Sequence, residues 1–226
     1  MSESVVAKFM RYLNSEGVVK TVQRSFRHSL FLFRVSFLER IHNDFDATFR
    51  TKTGGTVGVW RLRLGSRSKL GNRYQPVDPR AFNRAMNLLQ IDFKRFTFVD
   101  LGCGKGRALL LASQYGFKRI IGVEYSPALL GIAAKNVATI KKDIEIVHED
   151  ASKYIFPKEP LVVFLFDPFR GDVLRETILN LCASLNQEEG YVVYVNCVDE
   201  KYFVQRGCFR ELASWRDAKI YQHSGH

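Results

Sequence analysis

Four carboxylates recur in the middle of the chain, each at or just after the end of an apolar run. They are Asp100, Glu124, Asp150 and Asp167. Because the carboxyl ends of parallel strands meet at one edge of an α/β sheet, we expect these four side chains to share one rim. Four acids on one rim suit a cationic ligand and would repel a pyrophosphate. The pattern therefore predicts a binding site for a ligand that carries positive charge.

A glycine-rich loop follows the first apolar run, where residues 100–107 read DLGCGKGR. Glycines let a ligand approach the backbone closely and permit a tight turn into a helix. The spacing is G-x-G-x-G, and Arg107 stands where the third glycine of the dinucleotide pattern G-x-G-x-x-G would fall. We interpret Lys105 and Arg107 as solvent-facing or phosphate-neutral residues without a catalytic role.

Apolar runs of strand length alternate with helical patterns along the chain from Phe96 onward. The predicted strands are 96–101, 119–124, 144–148, 161–166 and 191–196, and the predicted helices are 79–89, 106–115, 127–139, 172–185 and 199–205. Residues 209–214 and 218–222 read as a terminal strand pair. The alternation predicts an α/β fold: a doubly wound, mostly parallel Rossmann-like sheet with a terminal antiparallel strand pair, preceded by an N-terminal helical extension.

Taken in order, the segments DLGCGKG, GVE, EDA and FDPF resemble the motifs of class I S-adenosylmethionine-dependent methyltransferases. The resemblance covers about residues 74 to 200. It implies S-adenosyl-L-methionine as the cofactor and methyl transfer as the reaction. The sulfonium of that cofactor fits the cationic ligand that the four acids predict.

The resemblance implies cofactor-binding roles for ten residues at the strand ends. They are Asp100, Gly102, Cys103, Gly104, Gly106, Glu124, Tyr125, Asp150, Ala151 and Phe169. In the family, Asp100 would lie near the methionine amino group and Glu124 would bind the ribose hydroxyls. Asp150 would meet the adenine amino group, and the segment from Asp167 to Phe169 would face the methyl group and the acceptor.

Two residues are candidates for orienting or deprotonating the methyl acceptor, Asp167 and Tyr74. Tyr74 begins a Tyr-Gln-Pro segment before a predicted helix, a layout similar to seven-strand protein-lysine methyltransferases and to a group of uncharacterised bacterial methyltransferases. In those proteins a short aromatic and proline segment closes over the cofactor. A purely packing role for Tyr74, and a cofactor or helix-capping role for Asp167, stay open.

Three functions remain at this point. The first is methylation of a protein lysine or a similar amine. The second is methylation of nucleic acid (rRNA, tRNA or DNA), which the single proline in the segment that starts at Asp167 disfavours. The third is a non-catalytic cofactor-binding protein, which predicts a degraded glycine loop. The acceptor is left open among protein, nucleic acid and small molecule.

Positive charge is concentrated in the first third of the chain. Residues 1–73 hold 14 lysines and arginines against 5 acids, whereas residues 74–226 hold 20 against 18. We predict a basic helical extension and loop over 1–73 and a methyltransferase domain over 74–226. The apolar stripe of residues 19–41 packs on that domain, rests on an anionic membrane surface or serves a nucleic-acid site. With no apparent signal peptide or C-x-x-C pair, we expect a cytoplasmic protein, with peripheral membrane association as the alternative, and no metal site.

Overall fold

The computed structural model of the chain describes residues 20, 23, 37, 39–58, 62, 73–140, 142–204, 207–216 and 218–225. The chain divides into two compact units, Met1–Asp44 and Phe45–His226. In the first unit, residues 20, 23, 37 and 39–44 are helical. Most of the predicted amphipathic helix over 19–41 lies outside the described residues. Within the part of the chain that the structure describes, no helix combines the length and apolarity needed to cross a membrane.

The second unit alternates strands and helices. In chain order these are α1 Pro79–Leu89, a 3-10 turn Phe93–Arg95, β1 Thr97–Leu101, α2 Arg107–Ala112, β2 Arg119–Glu124, α3 Pro127–Val137, β3 Glu145–His148, β4 Leu161–Phe166, α4 Gly171–Leu185, β5 Gly190–Val195, α5 Lys201–Val204, β6 Phe209–Trp215 and β7 Ala218–His223. Local chemistry sets several starts: Ser126 caps α3, whose first residue is Pro127, and Asp78 caps α1.

The seven strands form one sheet in the order β3-β2-β1-β4-β5-β7-β6. Strands β1 to β5 pair in parallel, and β7 is antiparallel to both β5 and β6. The predicted fold class is therefore confirmed, including the terminal antiparallel pair. The strand order reverses between β1 and β4, so a crevice opens at their carboxyl ends, where such sheets bind ligands.

The core lies on both faces of the sheet. One face packs under α1, α2 and α3 around the buried rings of Phe82, Phe98 and Phe164. The other face packs under α4 and α5, where Phe203 stacks on Tyr221 with ring centroids 4.5 Å apart. These two layers hold the carboxyl ends of β1, β2 and β4 in fixed register.

The compact unit begins at Phe45, well before the predicted domain start at Tyr74. Phe45 and Phe49 stack on each other with ring centroids 4.5 Å apart and pack against the core under α2. Val57 forms an isolated antiparallel bridge with Tyr74. Residues 45–58 therefore belong with the second unit, because Phe45 and Phe49 pack in its core and Val57 pairs with its backbone.

Candidate functional site

A pocket of about 950 Å3, counting its open mouth, lies at the carboxyl ends of β1, β2 and β4. Ten of the twelve predicted site residues line it. They are Tyr74, Asp100, Gly102, Cys103, Gly104, Glu124, Tyr125, Asp150, Ala151 and Phe169. A cleft at this edge of the sheet, with apolar walls and a few convergent polar groups, is typical of small-molecule and cofactor sites. The reversal of strand order thus brings together residues that span about a hundred positions of sequence.

Two buried carboxylates, Asp100 and Glu124, face the pocket side by side. Glu124 Oε2 accepts from the Gly104 amide at 2.8 Å and Oε1 from the Ser126 amide at 2.7 Å. Burial raises the pKa of Glu124, although these backbone donors oppose the shift. Burial, and then the charge of Glu124, raise the pKa of Asp100 well above its ordinary value. A cationic ligand in the pocket would offset both penalties.

The glycine loop lets the backbone approach two neighbouring side chains. A Cβ on Gly102 would lie 2.4 Å from Pro168 Cβ, and one on Gly104 would lie 2.4 Å from two ring carbons of Tyr74. Both glycines also have positive φ angles, 74° and 59°. The glycines therefore serve the packing of the pocket walls as well as access to the loop backbone.

Tyr74 forms a wall of the pocket and is itself tied down. Its hydroxyl donates to the Thr53 carbonyl at 2.6 Å, and the Lys105 ammonium lies 4.9 Å from its ring centroid. Burial raises the pKa of the Tyr74 hydroxyl. A hydroxyl that already donates its proton and is hard to ionise is poorly suited to accept a proton from an acceptor. The geometry therefore fits a wall and does not fit the predicted proton-accepting role of Tyr74.

The remaining predicted cofactor residues lie around the same cavity. Asp150 Oδ1 accepts from the amide and hydroxyl of Ser152 at 3.0 and 2.7 Å, so its carboxylate is held by the turn after β3. Tyr125 is partly exposed on the rim. Burial, followed by the charges of Asp100 and Glu124, raises the pKa of the Cys103 thiol, which keeps it protonated and unreactive.

Two predicted site residues, Gly106 and Asp167, are not among the pocket-lining residues. Gly106 caps α2 with φ of 84° and packs against Ala133 of α3, so its place is structural. Asp167 follows β4 with φ of 40°, and its carboxylate pairs with Arg170 at 2.8 Å and 3.3 Å. Its neighbours Pro168 and Phe169 do line the pocket, so Asp167 lies next to that wall in the chain.

The structure places Arg107 differently from the sequence-based prediction, and its partners were not predicted. The interpretation of Arg107 as solvent-facing is wrong, because its side chain is only 2% exposed. Its Nε donates to Thr53 Oγ1 at 2.7 Å and its guanidinium lies 3.6 Å from the Asp46 carboxylate. The Lys105 ammonium also has a protein partner, because it donates a hydrogen bond to the Gly54 carbonyl. No local pattern pointed to Asp46 or Thr53 as partners of Arg107, since Arg107 is more than 50 residues away from both.

The pocket suits S-adenosylmethionine on two observations. The buried Asp100 carboxylate lines the pocket, and burial and the charge of Glu124 raise its pKa, so a cationic ligand group there would stabilise its ionised form. The pocket also joins acids to apolar walls, including Val123, Leu129 and Phe164, as an amphipathic nucleoside ligand requires. Within the described ranges, no cluster of three or more metal-ligating side chains occurs.

Comparison with known proteins agrees with this geometry. Residues 98–190 match the family described as a methyltransferase domain. This chain contains a methyltransferase domain, and its sheet has the Rossmann-like fold of class I S-adenosylmethionine-dependent methyltransferases. An RNA methyltransferase from Salinibacter ruber, solved with S-adenosyl-L-homocysteine, superposes on the domain with a TM-score of 0.50 at 20% identity, covering 66% of this chain and 92% of that chain. At this identity the likeness shows the shared fold.

Curated relatives of the methyltransferase domain act on different acceptors. A ribosomal protein L11 methyltransferase from Thermosipho africanus is 29% identical over 46% of this chain and 38% of its own length. An uncharacterized RNA methyltransferase from Chlamydia muridarum is 31% identical over 45% of this chain and 25% of its own length. The chain thus matches well under half the length of these relatives.

Proposed function

We propose that this chain transfers the methyl group of S-adenosylmethionine to an amine, with a protein lysine as the leading acceptor. The observation that carries the proposal is the charge of the pocket, whose lining holds four acids, Asp100, Glu124, Glu149 and Asp150, against two arginines, Arg73 and Arg107. Arg107 is paired with Asp46, so the excess of acids favours a cationic side chain over a phosphate-bearing substrate. The relative named as a ribosomal protein L11 methyltransferase gives further support for a protein acceptor.

In this proposal, different residues of the chain bind the cofactor, wall the cavity and accept the proton. The cofactor supplies an activated methyl group, so the protein has to hold it, orient the acceptor and exclude water. Asp100 and Glu124 bind the charged and ribose parts, and Phe166 and Phe169 wall the cavity near the end of β4. The role of proton acceptor goes to the Asp167 carboxylate, which an incoming amine reaches by taking the place of Arg170.

The role of Asp167 can be tested by replacing Asp167 with Asn, which keeps the shape and removes the charge. We expect single-turnover methylation to fall by about a hundredfold or more, the scale of a positioned acid or base. S-adenosylhomocysteine affinity should change far less. Equal losses in affinity and turnover would instead assign Asp167 to cofactor binding, and a lower melting temperature with full activity would assign it to helix capping.

The acceptor class can be tested by incubating the protein and methyl-labelled cofactor with a lysate of its source cells. We expect label in the protein fraction, released on hydrolysis as methylated lysine. RNA is the second candidate, favoured by the net charge of +9 over residues 1–73 and by relatives named RNA methyltransferases. Label confined to nucleic acid would favour it, and label in no fraction would favour a non-catalytic role.

A further inference from the structure

Thr53 is a buried junction between three parts of the chain. Its amide and hydroxyl both donate to Asp46 Oδ1, at 2.9 and 2.6 Å. Its Oγ1 accepts from Arg107 Nε at 2.7 Å, and its carbonyl accepts from the Tyr74 hydroxyl at 2.6 Å. Thr53 is fully buried, so these bonds face little competition from water. Through its side chain and its backbone, this one residue therefore links the segment before the domain motifs to the pocket wall and to the start of α2.

Two of these partners belong to the pocket itself. Tyr74 and Arg107 both line it, and the ring of Tyr74 lies directly on Gly104. The amide of Gly104 in turn donates to the Glu124 carboxylate. The ring of Tyr74 is thus held at its hydroxyl by Thr53 and at its face by the glycine loop. A shift at Thr53 would move the wall that stands over that loop.

The buried guanidinium of Arg107 stabilises the hydrogen-bonded junction around Thr53. The Arg107 guanidinium is compensated by Asp46 at 3.6 Å and by the ring of Phe45, whose centroid lies 4.3 Å away. An unpaired guanidinium at this depth would carry a large desolvation cost. The carboxylate of Asp46 is kept in its ionised form, which can pair with Arg107. Burial raises the pKa of Asp46, but hydrogen bonds from Thr53 and Gly54 outweigh burial, so the pKa is lowered overall.

We propose that Thr53 is a positioning residue for the cofactor pocket, acting through Tyr74 and Arg107. Its hydroxyl keeps Arg107 paired and its carbonyl holds Tyr74 against the glycine loop. The affinity for cofactor therefore depends on a residue that does not itself line the pocket. This inference rests on the cofactor binding assumed in the proposed function.

The test compares three variants of the full chain for S-adenosylhomocysteine affinity and melting temperature. Thr53→Val removes the hydroxyl at nearly constant shape, leaves Arg107 Nε unpaired and should weaken binding by about tenfold or more. Thr53→Ser keeps the hydroxyl and should restore the affinity. Thr97→Val is the matched control, because Thr97 is equally buried and donates to Glu159 at 2.8 Å at the opposite end of β1. It should lower stability without changing affinity.

The outcomes separate positioning from plain stabilisation. If Thr53→Val and Thr97→Val lose similar stability and both bind with wild-type affinity, the inference is overturned. If Thr53→Val does not fold, Tyr74→Phe decides, since it removes the other bond to Thr53. Weaker binding by Tyr74→Phe then supports the inference and unchanged binding overturns it. A wild-type protein that binds neither cofactor nor product would overturn the proposed function itself.

Discussion

Replacing Glu124 with Gln changes one atom type in a buried carboxylate that has both a structural and a ligand-binding task. Each oxygen of Glu124 accepts one backbone N–H, from Gly104 at 2.8 Å and from Ser126 at 2.7 Å. The amide of Gln keeps one acceptor oxygen and presents an NH2 group to the other donor. One buried backbone N–H therefore loses its partner in the variant.

These hydrogen bonds set the expected losses of stability and of ligand affinity in the variant. An unsatisfied buried donor costs about 1–3 kcal/mol of unfolding free energy. Removing the charge of Glu124 also relieves Asp100, whose pKa that charge raises together with burial. The net loss of stability should therefore stay below about 3 kcal/mol. For the ligand, the loss of a charge-assisted bond to a ribose hydroxyl is worth about 1.5–3 kcal/mol, which corresponds to roughly 10- to 150-fold in affinity.

Calorimetric titration with S-adenosylhomocysteine measures the affinity, and a thermal melt confirms that the variant is folded. Glu145→Gln is the matched control, since Glu145 starts β3 and forms an exposed ion pair with Arg119. Surface ion pairs contribute little, so this control should bind as the wild type does. A folded Glu124→Gln protein with wild-type affinity would refute the assignment of Glu124 to the cofactor.

Two further predictions concern the same pocket. Because the pKa of Asp100 is raised, its ionised form costs stability as pH rises from its ordinary 3.8 through the raised value. Asp100→Asn should therefore raise the melting temperature of the ligand-free protein more at pH 8 than at pH 4 while weakening cofactor binding; melts with the opposite pH trend would contradict this. Gly104→Ala would place a Cβ 2.4 Å from the Tyr74 ring and should reduce S-adenosylhomocysteine affinity by at least about tenfold. Gly116→Ala is the control, because Gly116 also has positive φ but open space around it, and equal affinity losses in the two variants would show that backbone strain alone is responsible.

Much of the site could be predicted from sequence because its residues sit at the ends of strongly patterned strands. An apolar run such as residues 161–166 identifies a buried parallel strand, and the segment after it lies at the ligand edge of the sheet. The ends of β1, β2 and β4 therefore place Asp100, Glu124 and Phe169 in one pocket without any knowledge of side-chain packing. Helix α3 was equally readable, because its cap at Ser126 is a local hydrogen bond.

Only the tertiary structure decided which way the charged side chains point. Arg107 can be buried because Asp46 and Thr53, more than 50 residues away in sequence, pair with it. No local sequence pattern predicts these two partners. Asp167 adopts a positive φ, and its carboxylate pairs with Arg170 and does not line the pocket. Burial of a charge depends on a partner brought by the rest of the chain. Strand and helix patterns depend on neighbouring residues, so the sequence alone determined the fold and left these pairings to long-range packing.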